Sequence, residues 1–234
     1  MSIVEIKDVL KSGNLAQKIL ELEFIAKIYE SRLWRASRAF SLISGIHLRK
    51  EMRLIGSFLN LGGDELVLDL ACGTGLYSWS FADSCSGRTI IGLDLSLAML
   101  RFASKSAKSA NLENIFYLQA DSHLLPFKNS TFTAVNCTGA LHMFSDPIVV
   151  LKEVSRVTKP QGKLSLAVLR GETEFSKKIE LVLRKLSCGI KFFREDEILT
   201  MLENAGFRPV IIYSKRLWMI LGGIKGVQGQ GGMY

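Results

Sequence analysis

"VLDLACGTG", Val67 to Gly75, is the stretch whose reading decides the fold. An apolar run of strand length carries Asp69 in its middle and then breaks into Ala71, Cys72, Gly73, Thr74 and Gly75. A carboxylate buried in an apolar strand costs free energy unless it has partners or work to do. Glycine has no Cβ, so a ligand can approach such a backbone closely. A helix that starts there points its free N–H groups at the same place. Strand, Gly-x-Gly, helix therefore predicts a nucleotide-binding arrangement. Asp94 ends the next apolar run, 19 residues beyond Gly75. That is near the spacing at which a carboxylate takes ribose hydroxyls in a dinucleotide site.

The rhythm on either side supports a layered α/β fold. Strand-like runs fall at Leu66–Leu70, Thr89–Leu93, Ile115–Gln119, Phe132–Asn136 and Leu164–Leu169. Helical spacing falls between them, at Leu97–Ala110 and Pro147–Val157, and again at Glu195–Ala205 before Gly206. Such alternation predicts a mostly parallel sheet with helices on both faces. Pro209–Tyr213 and Leu217–Leu221, with Ser214-Lys215-Arg216 nearby, predict an antiparallel hairpin. Ahead of all this, Asn14–Tyr29 and Leu48–Leu59 read as helices. The chain divides into a helical lead-in over 1–60, a core over 61–226 and a glycine-rich tail over 227–234, expected to be flexible.

Composition narrows the class. With 234 residues, 48% of them hydrophobic, the chain can bury a sizeable core without disulfides. Its four cysteines, Cys72, Cys85, Cys137 and Cys188, form no CxxC pair, which argues against zinc and for reduced thiols in a cytoplasmic setting. The start has no basic-then-apolar signal pattern, and no run is long enough to span a bilayer. The net charge of +8 is uneven: 27–53 carry +5 and 156–216 carry +6, whereas 54–155 carry −3. A basic surface could serve nucleic acid, an anionic membrane or an acidic substrate, or simply be solvated.

Two cofactors compete for the glycine loop. An NAD site wants GxGxxG, but Ser78 stands at the third position, and such a site has no use for Asp69. "DLACGTG" instead resembles the first motif of the class I methyltransferases, which bind S-adenosylmethionine (SAM). "IIGLDLSLAML" (Ile90–Leu100) is similar to that family's second strand and following helix, and "QADSHLLPF" (Gln119–Phe127) to its third-strand motif. "FTAVNCTGALHMFSDP" (Phe132–Pro147) resembles the fourth strand and the loop facing the methyl group. "VLKEVSRVTKPQGKLSLAVL", "MLENAGF" and "LWMILGGIKG" extend the likeness to about Lys225. Thr133 stands where the family usually has an acid, and Gln161 replaces the first glycine of a Lys-Pro-Gly-Gly turn. The likeness is to the small-molecule subgroup that includes ubiquinone and menaquinone methyltransferases, although "TGALHMFSD" differs from the loop of the quinone enzymes proper.

The resemblance implies a Rossmann-like seven-stranded sheet with a C-terminal antiparallel hairpin and an N-terminal helical lid. It implies that Asp69, Ala71, Gly73 and Gly75 surround the methionine end of SAM, that Asp94 takes the ribose hydroxyls, and that Leu95 and Met99 pack on adenine. Asp121 would accept from the adenine amino group beside the Ser122 backbone, with Cys137 also near the cofactor. Methyl transfer needs the nucleophile in line with the methyl at roughly 3 Å. His142, just after strand four, is the candidate general base; the weightier alternative is that it orders its own loop. Tyr29, Trp34 and Phe40 are candidate lid residues, with Tyr29, Trp34 and His142 expected to line the substrate pocket. The expected activity is methyl transfer to a small acceptor, of lipophilic kind if a basic lid collects it from an anionic membrane. The alternatives are a catalytically silent SAM-fold binding protein or an RNA methyltransferase. Nucleic acid is disfavoured because no RNA-binding appendage is visible, and nothing points to metal or to an obligate protein partner.

Overall fold

The computed structural model describes residues 37–83, 87–172, 176 and 190–227. Seven strands form one sheet in the order β3-β2-β1-β4-β5-β7-β6. They are β1 (Leu66–Leu70), β2 (Thr89–Asp94), β3 (Ile115–Gln119), β4 (Phe132–Thr138), β5 (Thr158–Leu169), β6 (Phe207–Lys215) and β7 (Trp218–Lys225). β1 to β5 run parallel, and β7 runs antiparallel to both β5 and β6. The helices are α1 (Arg38–Ser44), α2 (Leu48–Leu59), α3 (Leu76–Asp83), α4 (Leu97–Ser109), α5 (Pro147–Val157) and α6 (Glu195–Asn204). The mostly parallel sheet and its C-terminal hairpin thus stand as expected. The expected helix over Asn14–Tyr29, together with Lys27, Tyr29, Arg32, Trp34, Arg35, Cys85, Cys188 and the tail beyond Val227, lies outside the described residues.

Local chemistry explains the boundaries. α2 buries Leu48, Glu51, Ile55 and Leu59 along one stripe and stops at Asn60, which takes a left-handed φ of 45°. α4 starts where the Ser96 hydroxyl accepts from the Met99 N–H. α5 starts at Asp146, whose carboxylate accepts from Ile148 and Val149, with Pro147 in the first turn. β5 begins at Thr158, six residues before its expected start, because Thr158 already pairs with Phe132 ahead of an irregular register. Gln161, the departure in that turn, adopts a left-handed φ of 62°.

The two sheet faces bury separate clusters. Leu68, Leu70, Val135, Cys137, Leu166 and Val168 pack with α5 and α6 residues such as Val150, Leu151 and Ile198. Val67, Ile90, Ala134, Ala167 and Ile220 pack on the other face with Ile55 and Leu59 of α2 and Tyr77 and Phe81 of α3. The strict alternation follows from the two-residue period of the pleat. α2 therefore shares a core with the sheet.

One packing detail shapes the site. The Tyr117 ring of β3 lies against Gly92 of β2, and its hydroxyl reaches beneath Gly75. A Cβ on Gly92 would stand 2.7 Å from the ring and 3.1 Å from Cys72 Sγ. Gly92→Ala should therefore cost about 1–3 kcal/mol through overpacking. In a chemical-denaturation double-mutant cycle, most of that cost should vanish on a Tyr117→Ala background; an undiminished cost would place the clash elsewhere.

Candidate functional site

The carboxyl ends of β3, β2, β1 and β4 lie side by side, and the loop after β1 closes over them. Ala71, Gly73 and Gly75 all take left-handed φ values, 52°, 54° and 81°. Glycine tolerates this readily; Ala71 holds it under strain. The loop is anchored by Cys72 N–H donating to Leu93 O at 2.9 Å and Gly75 N–H donating to Cys72 O at 2.9 Å. The result is a bare stretch of backbone against the first turn of α3.

Asp94 fastens this loop to the next strand. Its Oδ2 accepts from Gly73 N–H at 2.8 Å and its Oδ1 from Ser96 N–H at 2.9 Å. Burial nonetheless pushes its carboxyl above the ordinary range. Each oxygen keeps lone-pair capacity for a further donor. Leu95 follows directly, its carbonyl held by Gln119 Nε2 at 2.9 Å, and Met99 is buried beneath. Asp121 and Ser122 stand just past β3, Ser122 buried and Asp121 partly exposed.

Asp69 is 2% exposed. Asn136 Nδ2 donates to its Oδ1 at 2.7 Å and Ser78 Oγ to its Oδ2 at 2.5 Å. Asn136 Oδ1 in turn accepts from Thr138 Oγ1 at 2.8 Å and Ser165 Oγ at 2.9 Å. The register explains the chain of bonds, since Asp69 pairs with Asn136 and Asn136 with Ser165 across three adjacent strands. Desolvation raises the Asp69 carboxyl to about 6, with the Ser78 and Asn136 bonds pulling the other way. Asn136, Ser78, Thr138 and Ser165 were missed by the sequence reading. The signal was present: Asn136 is a polar residue in an apolar strand, as Asp69 is.

A cavity adjoins Asp69, Ala71 and Cys72. Its wall includes Phe40 and Ile43 of α1, Tyr77 of α3, Thr138 at the end of β4, and Leu217 and Trp218 at β7. Phe40 and Trp218 meet edge to face at 5.8 Å. Trp218 Nε1 donates to Glu51 Oε1 at 3.0 Å, which sets the indole plane. Phe40, a candidate lid residue, lines this cavity. A larger groove, about 600 Å³, opens between α3 and α4 beside Thr74 and Met99, with Arg101 and Lys105 on its outer wall.

Two of the expected site residues lie outside the cavity lining. Cys137 is 1% exposed and packs in the α5-side cluster, its thiol raised to about 12 by burial. It follows Asn136 in β4, so the pleat turns it to the face opposite Asp69. His142 is 1% exposed in a 3-10 turn, Leu141–Met143, with its ring edge-on to Trp218 at 6.2 Å. It stands behind the indole instead of at the rim, because this turn carries the chain inward. Among the described residues no group of His, Cys, Asp and Glu could hold a metal ion.

The raised Asp69 carboxyl has a sign that can be tested. Because its folded value exceeds the ordinary 3.8, its contribution to stability is full below that pH and is lost as pH rises through about 6. The ionised form then costs on the order of 3 kcal/mol. Asp69→Asn can keep one bond from Asn136 and donate to Ser78. Its melting temperature at pH 8 should exceed that of the unsubstituted protein by several degrees, a gap of about 1–3 kcal/mol that closes toward pH 4. Equal melting at pH 8 would mean the carboxylate is not strained.

Comparison with known proteins supplies the family. Residues 67–162 match the family model described as a methyltransferase domain. The chain is 33% identical over 146 residues to the demethylmenaquinone methyltransferase of Lactococcus lactis, covering 62% of this chain and 51% of that protein. It is 34% identical over 125 residues to the ubiquinone/menaquinone biosynthesis C-methyltransferase of Wigglesworthia glossinidia brevipalpis, covering 53% and 48%. The chain spans about half the length of these relatives. Haemonchus contortus phosphoethanolamine N-methyltransferase 2, solved in complex with S-adenosyl-L-methionine, superposes with a TM-score of 0.71 at 16% identity over 91% of this chain and 60% of that one, a likeness of fold. Residues 67–162 are thus a methyltransferase domain, and the chain's likeness is to the class I SAM-dependent methyltransferases.

Proposed function

We propose that the protein transfers a methyl group from SAM to a small apolar acceptor by direct displacement. The observation that carries this reading is the aromatic-walled cavity set against Asp69 and the bare glycine loop. The residues fit the cofactor. The loop's left-handed backbone leaves room for close approach, Asp94 offers two carboxylate oxygens, and Asp121 keeps an oxygen beyond the one that His123 takes. Asp69 and the wall beyond Ala71 would face the methionine end, where an ammonium would offset the cost of the buried carboxylate. SAM, when bound, supplies an electrophilic methyl on a sulfonium. The chain's own work is then to orient the acceptor and exclude water.

The described lining contains no histidine or lysine, and Asp69 is its only carboxylate. An acceptor that brings its own nucleophilic atom suits such walls better than one that needs a strong base. His142, behind Trp218, fits a role in holding the indole. The relatives named as acting on menaquinone and ubiquinone precursors support an apolar acceptor.

Two measurements bear on this. Calorimetric SAM affinity should fall at least about tenfold in Asp94→Asn, which weakens charge-assisted hydrogen bonds of roughly 1.5–3 kcal/mol each, and labelled methyl from SAM should enter the organic-soluble fraction of a lipid extract. Unchanged affinity would sink the role of Asp94, and label confined to polar products would sink the apolar acceptor.

The cavity mouth also fits a membrane surface. Ile43 lines it at 42% exposure beside Leu42 at 65%, and Arg38, Arg49, Lys50 and Arg53 are exposed on the same helical pair. Each cation near anionic lipid contributes about 1 kcal/mol. At low salt the protein should float with anionic but not neutral vesicles, and Leu42→Asp with Ile43→Asp should abolish this. Failure to float with either vesicle type would leave the lead-in a solvated face.

A further inference from the structure

We propose that His123 is a positioning residue that fixes the Asp121 carboxylate so that its second oxygen, together with the Ser122 N–H, reads the Watson–Crick edge of adenine. The inference rests on the assignment of Asp121 to the adenine end of SAM. One oxygen of Asp121 is taken twice by His123: Oδ1 accepts from the His123 backbone N–H at 2.8 Å and lies 2.7 Å from the ring Nδ1. The other oxygen, Oδ2, has no partner among the described residues. A carboxylate held by one oxygen at two points cannot rotate freely, so Oδ2 keeps one direction.

The imidazole is itself held from the far side. Its Nε2 accepts from the Asp146 backbone N–H at 3.4 Å and lies 3.1 Å from Ser145 Oγ. An amide N–H can be accepted only by an unprotonated Nε2, so the ring proton sits on Nδ1 and is donated to Asp121. Asp146 is the N-cap of α5, bound to the Ile148 and Val149 amides at 3.0 and 3.2 Å. Lys191 Nζ ties the Ser145 carbonyl at 2.8 Å, and Phe144 meets the imidazole edge-on at 5.9 Å. His123 therefore connects the end of β3 to the start of α5 through one ring.

Stability alone is a weak reason for this arrangement. Both side chains are partly exposed, 22% and 27%, and pairs of that kind contribute little. Orientation is a stronger one. Adenine presents a donor amino group beside the acceptor N1, which matches Oδ2 beside the Ser122 N–H. Hypoxanthine presents an acceptor oxygen beside a donor N1–H and opposes both. A site built to hydrogen-bond one pattern rejects the other strongly, but only while its groups are held in place.

The experiment is calorimetry of S-adenosylhomocysteine and S-inosylhomocysteine on the full chain, with melting temperature as a control for folding. The unsubstituted protein should prefer the adenine compound by about 100-fold or more. His123→Phe keeps the ring shape without the donor, and His123→Gln puts its amide where Nε2 stands and leaves Asp121 held by the backbone N–H alone. Both should lose about tenfold in adenine affinity and shrink the preference to about tenfold or less. His123→Asn, whose amide occupies the place of Nδ1, should recover both to within about threefold. Unchanged preference in the Phe and Gln variants would overturn the proposal, as would an Asn variant no better than Phe. A wild-type protein that binds neither compound would instead overturn the cofactor assignment, and this inference with it.

Discussion

Asp69 is buried, and in the proposed complex it would be ionised to meet the ammonium of SAM; much of this domain follows from holding those two demands together. Water cannot solvate a carboxylate that is 2% exposed. Neighbouring strands supply what water would. Asn136 and Ser165 sit at the same level of β4 and β5, and Ser78 comes from the first turns of α3. The network needs the parallel register intact, because a one-residue slip would turn Asn136 to the opposite face and bring Cys137 in its place. Even so the carboxyl stays raised to about 6, so the partners only partly offset desolvation. A residue that weakens the empty fold where a cation would bind is what a site under functional constraint looks like.

The loop after Asp69 is rigid for a different reason. Its left-handed residues present backbone where side chains would otherwise stand, and Asp94 ties Gly73 to the end of β2. From beneath, Tyr117 fills the space that Gly75 and Gly92 leave open. The loop glycine, the glycine of β2 and the large ring on β3 are therefore one packing unit. Its consequence is a platform whose position is set by three strands instead of by the loop alone. Asp94 is then held ready by two backbone amides before any ligand adds to them.

The cavity wall, by contrast, is assembled from distant pieces of chain. Phe40 comes from α1, Tyr77 from α3 and Trp218 from the start of β7. Glu51 of α2 fixes the indole from behind and His142 packs on its edge. The lead-in helix α2 thus helps set the cavity wall while contributing none of its described lining. Apolar walls with one carboxylate favour an acceptor recognised by shape and burial more than by charge.

Much of this was legible before any coordinates. The period of the apolar residues marked β1, β3, α2 and α5 at their observed bounds. The strand–glycine–helix order, with Asp94 at the next strand end, pointed to the side proposed for the cofactor, because close backbone approach and strand-end carboxylates are properties of short segments. Where the residue's direction mattered, local pattern fell short. Cys137 and Asn136 are neighbours in sequence, yet the pleat sends them to opposite faces, and only the register with Asp69 shows which face holds the site. His142 lies in the right loop but turns inward against Trp218, 76 residues further along the chain. His123 meets Ser145 and Asp146 only because β3 and α5 converge. Backbone conformation, period and caps are short-range physics and can be read from the amino acids in order. Which polar groups share a buried space, and which aromatic rings close a cavity, depends on long-range packing that strand order and pleat parity decide.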